Sequence, residues 1–127
     1  MKAKAIVFFL WVLLAMPALT GAVSEEDFKV ETTQNLINLL TVSLEDPLYH
    51  QAINFGHGYL LGAFHYYEAS SSGPKGTKLI SIPSPRPSRN QVIKMFIDWA
   101  KAHPQYMKER PVETEFRFLM ETWPYKP

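Results

Sequence analysis

The stretch of this chain richest in potential chemistry is His57-Gly-Tyr-Leu-Leu-Gly-Ala-Phe-His65, where histidines and glycines alternate with large apolar residues. Histidines can bind a metal or move a proton, and closely spaced glycines can cradle a phosphate. Neither pattern is complete here. Gly56, Gly58 and Gly62 are spaced G-x-G-x-x-x-G, not as a dinucleotide fingerprint, and they fall inside a helical pattern instead of following a strand. Gly76-Thr77-Lys78 has the wrong order for a Walker loop. His50 and His57 would stand roughly 10 Å apart along a helix, too far to share an ion, and His57 and His65 diverge in direction. A zinc site would need Glu68 or His103 brought in by folding.

Nucleophilic chemistry has no better footing. The chain has no cysteine, no G-x-S-x-G elbow, and its serine run, Ser70-Ser71-Ser72, sits where a loop begins. The carboxylate pairs Glu25/Glu26 and Glu113/Glu115 read as solvated helix starts, where acids complement the positive end of the helix. The chain is therefore expected to be no enzyme and to hold no catalytic, cofactor or metal site. Gly58 and Gly62 are four residues apart, on one helix face. Each costs a helix about 1 kcal/mol against alanine, so both are expected to admit a second helix at close range, in a structural role.

The elements that must position these residues begin with the N-terminus. Lys2 and Lys4, an apolar run from Ile6 to Met16, Pro17 and the small residues Thr20-Gly21-Ala22 have the three-part layout of a secretory signal peptide. The run is shorter than the roughly 20 residues that span a bilayer, so cleavage is expected after Ala22, leaving no membrane span and one domain over 23–127. Losing Lys2 and Lys4 takes the 13 basic residues to 11 against 12 acidic ones, and the formal charge from +1 to −1. That balance gives no basic face for nucleic acid. Without cysteine there is no intramolecular disulfide, so stability must come from a core or a partner.

Four helices are expected. Ser24 and Asp27 start the first, which carries Phe28, Leu36, Leu39 and Leu40 to the turn Glu45-Asp46-Pro47. Asp46 then caps a second helix from Pro47 to about Ala69, with Leu48, Ala52, Phe55, Tyr59, Ala63 and Tyr66 as its buried face. Ser70 to Ser88 is a long loop stiffened by Pro83, Pro85 and Pro87, with a short extended piece at 78–82. Ser88 and Gln91 form a capping box before a third helix bearing Val92, Ile93, Phe96, Ile97, Trp99 and Ala100, which His103-Pro104 stops. Pro111 opens a fourth, with Val112, Phe116, Leu119 and Trp123 on one face. The expected architecture is an all-α, compact bundle of about four helices with one long loop after the second.

The order of features resembles a known family. Gly58-Tyr59-Leu60-Leu61-Gly62 is similar to a GY-[IV]-x-G element on a central helix. Ile82-Pro83 closes a loop, Asn90-Gln91-Val92-Ile93 begins a helix ending in Ala102-His103-Pro104, and Arg110-Pro111-Val112-Glu113 opens one ending in Trp123-Pro124. Over Leu36 to Tyr125 this series resembles the Rap/Tai family of type VI secretion immunity proteins. The resemblance implies a periplasmic helical domain, often a homodimer, that binds a cognate toxin, typically a peptidoglycan amidase, and blocks its active site. It assigns structural roles to Gly58, Tyr59, Gly62, Pro104, Pro111 and Trp123. Family cysteines correspond to Gly56, Ser81 and Tyr125 here, so the chain ends are expected to be held by packing alone. On this reading the loop is the contact surface, through Ser71, Lys75, Lys78, Arg86 and Arg89. The competing expectation is an envelope chaperone-like or structural binding protein with no dedicated toxin.

Overall fold

The computed structural model describes residues 22–127; the signal peptide expected over 1–22 lies outside them except for Ala22. The chain runs through α1 (Glu25–Lys29), α2 (Thr33–Leu40), α3 (Tyr49–Ser71), α4 (Arg89–Ala102), a 3-10 turn (Pro104–Tyr106) and α5 (Pro111–Thr122). The fold is all-α, and the described residues form no named strand. Helices α2 to α5 make the bundle, with Leu36, Leu39, Phe96, Ala100, Phe118 and Leu119 among its most deeply buried residues.

The single first helix expected from Ser24 onward is two. Val30 takes a left-handed conformation with φ 51° and breaks it, although a β-branched residue there is strained. Burial of the Val30 side chain and a fresh start for α2 offset that strain. The Asn35 N–H donates to Thr32 Oγ1 at 3.2 Å and the Thr32 N–H to Asn35 Oδ1 at 3.1 Å. The next free donors of α2, the N–H groups of Thr33 and Gln34, reach the carbonyls of Glu109 (2.8 Å) and Met107 (3.0 Å). That docks the start of α2 on the α4–α5 connection. Thr33 and Thr114, both fully buried, share a hydroxyl hydrogen bond of 2.6 Å that ties α2 to α5. Asp27 joins α1 to α2. Burial alone would raise its pKa, but donors from Ser24, Asn38 and Asn35 hold it below the usual carboxylate value.

Helix α3 starts two residues later than expected. Asp46 does not cap it; its carboxylate accepts from the Leu48 N–H at 2.8 Å and from the Val23 N–H at 3.1 Å. The helix presents three faces. Ala52, Gly56 and Leu60 face the core, about a quarter turn from the stripe predicted by hydrophobicity. His57, Leu61, Phe64 and Glu68 turn toward a cavity. Phe55 and Tyr66, predicted to be core, are 44% and 77% exposed. Gly58 and Gly62 share that outer face, and a Cβ built on either meets no atom within 4 Å. The expected close helix contact therefore belongs to Gly56 instead, where Leu40 Cδ2 lies 2.8 Å from a Cβ position. With open space around them, Gly58→Ala and Gly62→Ala should each stabilise the protein by about 1 kcal/mol through helix propensity. Urea unfolding of the two single variants checks this, and a loss of stability in both would contradict the open face.

The long loop is fastened through its middle. The Leu79 and Ile80 N–H groups donate to Tyr67 Oη at 2.8 and 3.2 Å. The extended piece expected at 78–82 reduces to a single antiparallel bridge, Ile80 with Pro124. The Ser81 N–H donates to the Trp123 carbonyl, the Tyr125 N–H to the Leu79 carbonyl, and the Lys126 N–H to Ser81 Oγ at 2.9 Å. Hydrogen bonds as well as packing thus hold the C-terminal tail, at the positions where the family resemblance implies cysteines. The Ser88–Gln91 capping box forms as expected, and Ile93, Phe96 and Ala100 are buried with Val92, Ile97 and Trp99 half-buried. In α5 the face is shifted: Pro111, Thr114, Glu115, Phe118 and Leu119 are buried, while Val112 is exposed.

Candidate functional site

A cavity of about 330 Å³ opens between α3, the end of the long loop and the two last helices. Leu60, Leu61 and Phe64 wall it from α3, Ile82 and Pro87 from the loop, Val92 and Ile93 from α4, and Leu119 with Trp123 from the α5 end. Its polar groups are few. His57, His65 and Glu68 come from α3, Arg86 and Arg89 from the loop and the first turn of α4, and Glu115 from α5.

Glu115 is the unusual one. It is 5% exposed, and its Oε2 is buried with no hydrogen-bond partner. A buried polar group left unpaired costs about 1–3 kcal/mol. Ionised, it would cost more, and burial pushes its pKa up to about 9. Near neutral pH this side chain is a protonated acid, able to donate one hydrogen bond and accept others. Burial also raises the pKa of the nearby Tyr59 phenol, against a hydrogen bond with the Val112 backbone that lowers it. His57 goes the other way. Burial and then the Arg89 charge lower its pKa, so its imidazole is neutral at physiological pH.

The charged groups at the rim are exposed. Arg86 Nη2 meets Glu68 Oε1 at 3.1 Å, and its guanidinium stacks over Phe64 at 5.5 Å, which pins the loop to α3. Arg89 makes no ion pair among the described residues. The rim therefore carries a net positive charge over an apolar interior. Among the described residues, no three His, Cys, Asp or Glu side chains gather as a metal-holding group.

The residues expected to form one contact surface are divided. Arg86 and Arg89 line the cavity, whereas Lys78 borders a separate shallow hollow with Gly73 and Tyr125. Lys75 is exposed. Ser71 is 8% exposed and donates to the Glu68 carbonyl at 3.4 Å, so it does not belong to a contact surface. Of the expected structural residues, Tyr59 is half-buried, Pro104 opens the 3-10 turn, Pro111 is buried in the first turn of α5, and Trp123 caps α5 against the cavity. Glu115, expected from its type to be a solvated helix-start acid, is instead buried. The signal that locates it is its register: with Pro111, Phe118 and Leu119 it lies at helical spacing on the apolar face of α5. No helix among the described residues is long and apolar enough to cross a membrane. The chain matches no protein-family model, no curated protein and no solved structure.

Proposed function

We propose that this protein is a periplasmic immunity protein that binds and occludes a cognate type VI-secreted toxin, a peptidoglycan amidase, in the manner of the Rap/Tai family. The observation that carries the reading is the fixed presentation of the proline-rich loop. Tyr67 receives the loop at Leu79 and Ile80, the C-terminal tail pairs with it at Ile80 and Ser81, and Arg86 fastens it to Glu68. A surface ordered before it meets its partner forfeits less entropy on binding. Its exposed cations, Lys75, Lys78 and Arg89, suit an acidic hydrolase cleft. The ordered sequence resemblance supplies the identity of the toxin class.

Export follows from the same reading. Cleavage after Ala22 would turn the Val23 nitrogen, 3.1 Å from Asp46 Oδ2, into an ammonium and that hydrogen bond into an ion pair. Mass spectrometry of periplasmic protein should give a chain starting at Val23; a retained Met1 would refute export by cleavage.

The test of function is complex formation with a hydrolase encoded beside this protein, read by sedimentation, and protection of cells into whose periplasm that hydrolase is delivered. A tight complex and protection are expected, with Lys78→Glu weakening binding on the order of tenfold. Absence of both would overturn the proposal, and suppression of aggregation of many unrelated proteins would point to a chaperone-like protein. The same sedimentation run reads the homodimer that the resemblance implies.

A further inference from the structure

We propose that the cavity between α3, α4 and α5 is a binding site for a small amphipathic anion: an apolar chain with an amide or similar carbonyl group at its buried end and a carboxylate at its outer end. This site does not rest on the toxin-binding role, with which it shares only Arg89 at the rim.

Three features select that chemistry. The volume, about 330 Å³, lies at the lower end of the ~300–1,000 Å³ typical of small-molecule sites, and the walls are leucine, isoleucine, valine, phenylalanine and tryptophan side chains. Burying an aliphatic chain there removes apolar surface from water. Glu115 lines the cavity and is 5% exposed; its Oε2 is sealed off, so an occupant meets the other carboxyl oxygen, which has no protein partner among the described residues. An apolar occupant would leave that oxygen unpaired. An amide pairs with it in either proton placement, its carbonyl accepting from the acid O–H or its N–H donating to the oxygen.

The charge at the rim decides the outer end. Glu68 is engaged by Arg86 at 3.1 Å, which leaves Arg89 to face an incoming group. An ammonium at the buried end would require an ionised Glu115 and the burial of both charges, with a large desolvation cost, and it would have to pass two arginines. A carboxylate that stays at the rim meets Arg89 with little desolvation. The His57 imidazole in the cavity lining, its pKa lowered by burial and by Arg89, adds a polar contact without a competing charge.

The experiment is calorimetric titration of the protein with three probes: the monoamide of octanedioic acid, octanoate and octanamide. The monoamide is expected to bind at least about tenfold more tightly than either single-ended probe. Arg89→Gln should remove its advantage over octanamide, and Glu115→Leu its advantage over octanoate. Glu115→Gln, which keeps a donor and an acceptor, should retain binding. Should Glu115→Leu fail to fold, the comparison of probes on the unaltered protein decides. Equal affinity for the monoamide and octanoate, or no binding of the monoamide, would overturn the proposal. Toxin binding left intact in that case shows that the two proposals fail separately.

Discussion

Replacing Glu115 by glutamine will stabilise the protein by about 3 kcal/mol at pH 7 and change it little at pH 4. The sign follows from which state binds the proton. In the fold, burial pushes the Glu115 pKa up to about 9 from an ordinary 4.5. Below about pH 4.5 the side chain is protonated whether the chain is folded or not, and it imposes no pH dependence. As the pH rises, the unfolded chain gains the free energy of ionisation while the folded chain stays protonated. Stability then falls by about 1.4 kcal/mol for each pH unit until the folded pKa is reached. Glutamine fills nearly the same volume, cannot ionise, and keeps a hydrogen-bonding head in the cavity. His57 titrates in both proteins and cancels from the comparison. Urea unfolding followed by tryptophan fluorescence at pH 4, 7 and 9 measures the effect. The unaltered protein should lose stability across that range much faster than the variant; parallel profiles would show that Glu115 is solvated.

The reasons Glu115 was not legible in the sequence apply to the rest of the molecule. Local chemistry reads well. The Ser88–Gln91 box starts α4 as its spacing requires, and the Pro104 and Pro111 breaks fall where a missing N–H demands them. Face assignments read less well, because hydrophobicity is a poor guide when the contact is made by a residue with no side chain. Gly56 contributes nothing to a hydrophobic stripe, yet it occupies the core-facing line of α3, and this rotates Phe55 and Tyr66 out to solvent. The carboxyl of Glu115 misleads in the opposite sense. Its type predicts exposure, while its register on α5 buries it. The break at Val30 has no glycine or proline to announce it. Its only local sign is the second capping pair, Thr32 with Asn35, and the force that fixes it is tertiary, the docking of α2 on residues 107–109.

The same argument makes Gly56 a position where added volume is costly. A Cβ there would sit 2.8 Å from Leu40 Cδ2, 3.2 Å from Leu40 Cγ and 3.7 Å from Leu36 Cδ1. Leu36 is fully buried and Leu40 is 7% exposed, so neither can move aside without displacing other core side chains. Gly56→Leu must therefore push α2 away from α3 or force leucine rotamers off their minima, which costs about 3 kcal/mol or more. Relief of the helical glycine returns only about 1 kcal/mol, leaving a net loss of about 2 kcal/mol at least. Gly58→Leu, two residues away on the open face, carries the propensity gain without the clash. The pair of variants thus separates packing from helix propensity in one helix. A third measurement identifies the contact. Leu40→Ala is destabilising by itself, but in the Gly56→Leu background it vacates the space the new side chain needs, so its cost should shrink by about 1 kcal/mol or more relative to additivity. Gly56→Leu as stable as the unaltered protein, or strict additivity with Leu40→Ala, would mean that α2 and α3 are not packed through Gly56.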